Sequence, residues 1–203
     1  MPNANYFDGE DIVPRGLERH LTYSSEDDQD IFPLQRVTVR DVFQALESEI
    51  AKQIDPECYF ADIPFLASPI IDVSAELLLY LVSYFYARFC YLSPYIRPYF
   101  TLEETKKHAI HLKMSIPKGL FARFPHLQAL IRKANRLSKI GNFSISIKEK
   151  DDRELMYFRL SSKKTKNAYN LYTYPLVYVA EYVDRALAAV KEDIGEDVRL
   201  ILC

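Results

Sequence analysis

Glycine is scarce in this chain. Among 203 residues there are 5, at Gly9, Gly16, Gly119, Gly141 and Gly195, and no two stand close enough to build a phosphate-cradling loop. Such loops need glycine because the backbone amides must approach the anion closely and adopt positive φ. Tryptophan is absent. Cys58, Cys90 and Cys203 lie far apart, which is neither a disulfide framework nor a zinc-ligand spacing and suits a reducing cytoplasm. The polar, acidic N-terminus does not read as a signal peptide, and none is expected. The longest apolar run, Leu77 to Leu92, is broken by Ser83 and Arg88, so a core helix is expected and not a membrane span.

What the chain does have is charge polarity. Net charge is −2, yet residues 105–166 hold 16 Lys and Arg against 4 Asp and Glu, leaving 10 against 24 elsewhere. A +12 segment in a −14 surrounding marks either an anion-binding face or two parts of one fold that attract each other.

Local patterns place the elements. Residues 1–30 lack a sustained apolar period and end in Glu26-Asp27-Asp28-Gln29-Asp30, which predicts a loosely docked acidic arm with one short helix around Arg15 to Tyr23. Thr38 and Asp41 resemble a capping box, and Val39, Val42, Phe43, Leu46 and Ile50 then share a helical face. An extended piece is expected at Cys58 to Ala61. Ser74 caps a second helix running to Leu92, apolar nearly all round and therefore sandwiched. His108 to Ile116 alternates as a strand that Pro117 ends. A helix from His126 to Lys139 aligns Leu127, Leu130, Ile131, Ala134 and Leu137, with Gly141 placed to stop it. Phe143, Ile145 and Ile147, then Met156, Phe158 and Leu160, alternate as the two arms of a hairpin around Glu149 to Arg153. A basic loop precedes a last helix at Pro175 to Lys191, and Val198 to Leu202 reads as a terminal strand. The order predicts an α+β fold, a two-layer sandwich of helices on a mixed β-sheet.

That order resembles the histidine-kinase-like ATPase family. Leu17 to Glu26, reading LERHLTYSSE, looks like the end of the kinase dimerisation helix, and Phe32-Pro33-Leu34 with Val37-Thr38-Val39 looks like the linker into the first ATPase helix. Leu78 to Pro94 resembles the asparagine-box helix. Gly119 to Phe124 resembles the passage from the first glycine box into the phenylalanine box, and Leu130 to Leu160 resembles the closing helix and hairpin. The resemblance covers residues 31–160 as one domain, with 1–30 as the arm and 161–203 as an extension packed on the same domain.

The resemblance also implies a nucleotide site, and the chain departs from it at each position. The family holds Mg²⁺ with an asparagine, because a hard cation takes oxygen ligands; here the aligned residues are Tyr84 and Arg88. Ser115 stands where an aspartate accepts the adenine amino group. Pro117, which fixes φ and has no N–H, stands where a glycine is expected, leaving Gly119 as the remnant of the box. The second box reads Phe124-Pro125-His126-Leu127-Gln128. ATP hydrolysis and kinase activity are therefore not expected, nor is a cofactor or metal.

A few other residues could carry chemistry. His20 is the sole candidate phosphoacceptor, without a phosphoacceptor motif around it. His108 and His111 would point to opposite faces of a strand, so a shared metal is not expected. His126 begins or caps a helix. Arg132, Lys133, Arg136 and Lys139, with Lys163, Lys164 and Lys166, form a candidate surface for anions or an acidic partner, and Tyr157 can stack on bases. The expected function is a non-catalytic, cytoplasmic regulatory or scaffolding protein in signalling that binds another protein. Tyr80, Tyr84, Tyr86 and Tyr91 offer a homodimer interface. The alternatives are a phosphorelay phosphotransferase using His20 and a nucleic-acid binder using residues 105–166.

Overall fold

The computed structural model describes residues 17, 32–58, 60, 69–95, 97–105, 109–161, 169–170 and 179–202, with the side chains of 169–170 and 196–202 left undescribed. The fold is α+β, as expected. The strands form two sheets and not one. A small sheet has the order β2-β1-β7, from β1 (Gln35–Thr38), β2 (Ile70–Val73) and β7 (Tyr169–Asn170). A larger antiparallel sheet has the order β3-β4-β6-β5, from β3 (Tyr99–Glu104), β4 (Ile110–Pro117), β5 (Phe143–Lys150) and β6 (Arg153–Leu160).

The first helix, α1 (Val39–Gln53), starts where Thr38 accepts the Asp41 N–H at 3.3 Å, and it buries the five residues of its predicted stripe. Helix α2 (Ala75–Leu92) starts at Ser74, whose hydroxyl accepts the Leu77 N–H, and its residues 77–89 are buried all round. It is covered on both sides. Toward the large sheet, Tyr86 stacks on Phe100 at 5.2 Å. On the other side it meets α5 (Val179–Leu202). A short helix, α3 (Leu120–Arg123), and then α4 (His126–Ser138) close the core against β5, with Leu127, Leu130, Ile131 and Ala134 buried.

Two expectations need correction. Helix α5 runs through Gly195 to Leu202, so the strand predicted at Val198 to Leu202 is helix. The left-handed residue after α4 is Asn142 (φ 62), not Gly141. Gly141 is needed for closeness: a Cβ there would sit 2.8 Å from Phe143 Cε1 and 3.2 Å from Leu77 Cδ2. The Asn142 side chain in turn donates to the Asp72 carbonyl at 2.6 Å, tying this turn to β2. Of the extended piece expected at Cys58 to Ala61, Cys58 and Phe60 are described, and Phe60 bridges to Phe100.

From the acidic arm, Leu17 alone is described. It is helical and fully buried, and its carbonyl accepts the Tyr80 hydroxyl at 3.1 Å. Tyr80, Tyr84 and Tyr86 are core residues, which leaves Tyr91, 55% exposed, as the one member of that set on the surface. Among the described residues no helix is long and apolar enough to cross a membrane.

Candidate functional site

The positions aligned with a nucleotide site do not converge. Tyr84 and Arg88 lie one turn apart on the side of α2 that meets α5, and both are fully buried. The Tyr84 hydroxyl donates to Asp193 Oδ2 at 2.6 Å and accepts from Arg88 Nη1, whose guanidinium lies 3.5 Å from the same carboxylate. Asp193 is itself fully buried. Burial pushes the Tyr84 pKa well above its ordinary value, so the phenol stays protonated and able to donate. A pair of opposite charges with a phenol between them offsets much of the cost that an interior puts on buried charge. Helix α5 thus occupies the side of α2 on which the resemblance places a cation ligand, and the residues there do not fit a Mg²⁺–nucleotide site.

Ser115 belongs to a different surface. On β4 the residues Ile110, Leu112, Met114 and Ile116 face the core, so His111, Lys113 and Ser115 face away. Ser115 is covered by Arg153, whose Nη1 donates to its hydroxyl at 3.3 Å and whose guanidinium lies over the Tyr99 ring. Pro117 is the last residue of β4 and pairs with Arg153. Gly119 takes φ +84 as the N-cap of α3, a conformation that favours glycine, and its N–H donates to Glu154 Oε1 at 3.3 Å.

The face that Ser115 shares is basic and aromatic. Register places Tyr157 at its centre, between Lys113 on β4 and Ser146 on β5. Lys113, Lys148 and Arg159 each place a cation 5.4–5.7 Å from the Tyr157 ring centroid, and His111 meets the ring edge-on at 5.9 Å. Burial, and after it the Arg159 charge, holds the His111 pKa below its ordinary value. Lys150 and Arg153 extend the positive field, and Glu103, paired with Lys113, is the one acidic strand residue on this face. The buried Arg159 Nε and Ser146 Oγ have no hydrogen-bond partner among the described residues.

A groove of about 370 Å³ lies along the β5 edge. Phe121, Ile131, Ile145 and Ile147 supply its apolar surface, while Arg132 and Asn135 of α4 and Glu149 and Glu154 of the hairpin supply polar groups. Of the predicted anion-binding set, Arg132 and Arg136 are exposed on α4, Lys139 is exposed at its C-cap, and Lys133 is half-buried. Lys163, Lys164 and Lys166 lie outside the described residues, as do His20 and His108. Among the described residues no group of His, Cys, Asp or Glu side chains is placed to hold a metal ion.

Sequence reasoning missed Asp193, because an acidic residue on a long helix carries no sign of its partner. It named Tyr157 but not the cations around it. The signal for those was present, since residues of one parity on β4, β5 and β6 share a face. No protein-family model and no curated protein matches the chain.

Proposed function

We propose that this chain is a non-catalytic binding protein, a regulator or scaffold in signalling, built on a frame that resembles the histidine-kinase-like ATPases without their chemistry. The observation that carries this reading is the closed seam between α2 and α5. The aligned Mg²⁺-holding positions, Tyr84 and Arg88, are consumed by a buried contact to Asp193. A scaffold retained for shape has no use for that space as a ligand site, and filling it adds stability. The signalling context rests on the resemblance alone. Calorimetric titration with ATP and Mg²⁺ tests the reading: no heat beyond dilution is expected, and saturable, Mg²⁺-dependent binding would overturn it.

A second reading is favoured by one observation, the Tyr157 platform. An aromatic ring on an antiparallel sheet, ringed by Lys113, Lys148 and Arg159, is the arrangement that stacks a base and neutralises its phosphates. Single-stranded nucleic acid is the ligand class that such a face fits.

A further inference from the structure

Strand β5 is the outer strand of its sheet, and no described strand lies beyond it. Its register determines which backbone groups face outward. Lys150 and Arg153 flank the two-residue turn Asp151-Asp152 and pair with each other. Hydrogen-bonded and non-hydrogen-bonded pairs alternate from there. Ser144, Ser146, Lys148 and Lys150 therefore bond to β6, while Ile145, Ile147 and Glu149 turn their N–H and C=O groups outward. The Ile145 N–H agrees with this sense: it leaves the ladder and donates to Asn135 Oδ1 of α4 at 2.8 Å. One outward N–H is thus capped by a side chain, and the next two, at Ile147 and Glu149, open on the groove.

The groove has an uneven charge. Glu149 and Glu154 stand directly opposite each other across the hairpin, an arrangement of like charges that is unfavourable by itself. Lys118 pairs with Glu149 at 2.9 Å. Glu154 Oε1 accepts the Gly119 N–H, but its Oε2 is buried and has no hydrogen-bond partner among the described residues. A buried, unpartnered carboxylate oxygen beside an apolar wall calls for a cation.

We infer that this groove takes an extended peptide segment of another protein, added as a strand to β5. The segment sets a Lys or Arg on Glu154 and, two residues away, an apolar side chain against Phe121, Ile131 and Ile147. The outward groups of Ile147 and Glu149 provide main-chain bonds, and alternate side chains of the segment share one face, so those two side chains enter the groove together. The inference rests on reading the chain as a binding protein and names the partner's chemistry.

The test is selection of a random-peptide display library on the full chain, followed by calorimetry with the selected peptides. The expected winners share a Lys or Arg with Leu, Ile, Val or Phe two residues away. Replacing that basic residue with Ala weakens binding to the wild type by about tenfold or more, and Glu154→Gln removes most of this difference. Glu149→Pro deletes an outward N–H at an exposed position while leaving the ladder intact, and it weakens every winner. Amide exchange at Ile147 and Glu149 slows when a winner binds the wild type. An empty selection overturns the inference, as do acidic winners or winners indifferent to Glu154→Gln. Glu154→Gln keeps the test decisive if Glu149→Pro does not fold. Mg²⁺-dependent ATP binding would sink the non-catalytic reading and leave a positive selection standing, whereas a failed selection sinks the groove alone.

Discussion

The Tyr84 hydroxyl donates to Asp193 at 2.6 Å, joining residues 109 apart in the sequence within a fully buried seam. Arg88 completes the contact from the next turn of α2. One side of that helix is thereby committed to α5, while Tyr86 on the other side stacks on the sheet. Removing any member takes a buried hydrogen-bonding or charged neighbour away from the other two.

Asp193→Ala is accordingly expected to lower unfolding free energy by about 3–5 kcal/mol, because it removes the carboxylate that faces the buried Arg88 charge. The double variant Arg88→Met with Asp193→Leu loses far less, since an apolar pair of similar volume needs no solvation. Urea unfolding measures both. A loss below about 1 kcal/mol for Asp193→Ala would mean that water reaches the seam.

Two glycines are expected to respond in opposite directions to alanine. At Gly141 the new Cβ meets the buried Phe143 ring at 2.8 Å, and Gly141→Ala costs about 1–3 kcal/mol by overpacking. Gly195 is exposed within α5, and a Cβ added there meets nothing within 4 Å. There alanine stabilises by about 0.5–1 kcal/mol through the restricted unfolded chain and better helix propensity. Thermal melts that move in the same direction for both would contradict this placement.

The fold is expected to lose stability at alkaline pH. Burial pushes the Cys58 thiol up to about 12 and the Cys90 thiol up to about 11, from an ordinary value of 9.0. The unfolded chain releases these protons first. Their contribution is whole below 9.0 and declines as pH rises from there toward 11 and 12. Urea unfolding at stepped pH should show the decline, and the Cys58→Ala, Cys90→Ala double variant should flatten it. Equal slopes in the two proteins would assign the loss to other groups.

If the outer sheet face binds single-stranded nucleic acid, Tyr157→Ala weakens a labelled oligonucleotide by about 1–3 kcal/mol, the usual worth of one stacked base. Binding by wild type falls steeply as salt rises, because Lys113, Lys148 and Arg159 displace counterions. Fluorescence anisotropy reads both effects. Affinity that is insensitive to salt, or to Tyr157→Ala, removes this reading.

Helices α1 and α2 were legible because each joins a capping residue to an apolar stripe or surface, α4 because its apolar stripe recurs at helical spacing, and the hairpin because period-two alternation ran on both sides of a polar turn. Strands β1 and β2 have four residues each, too few for a period to emerge. Strand β3 ends in the exposed pair Glu103 and Glu104, which reads as loop until pairing with β4 supplies its hydrogen bonds. Gly195 and the apolar string after it suggested a helix end and a strand. Buried Asp193 and Ile194 anchor that part of α5 instead, and this outweighs the roughly 1 kcal/mol that one glycine costs a helix.

The sequence by itself determined the longer helices, the hairpin and their buried faces, because side-chain period and caps are properties of neighbours along the chain. It also determined that no glycine pair exists to cradle a phosphate. Only the tertiary structure decided what each face meets: that Arg88 and Tyr84 answer to Asp193, that Tyr157 gathers cations from three strands, and that β5 is left at an edge. A stripe states that a surface leaves water but carries no label for its partner. That assignment comes from packing between residues far apart in the chain.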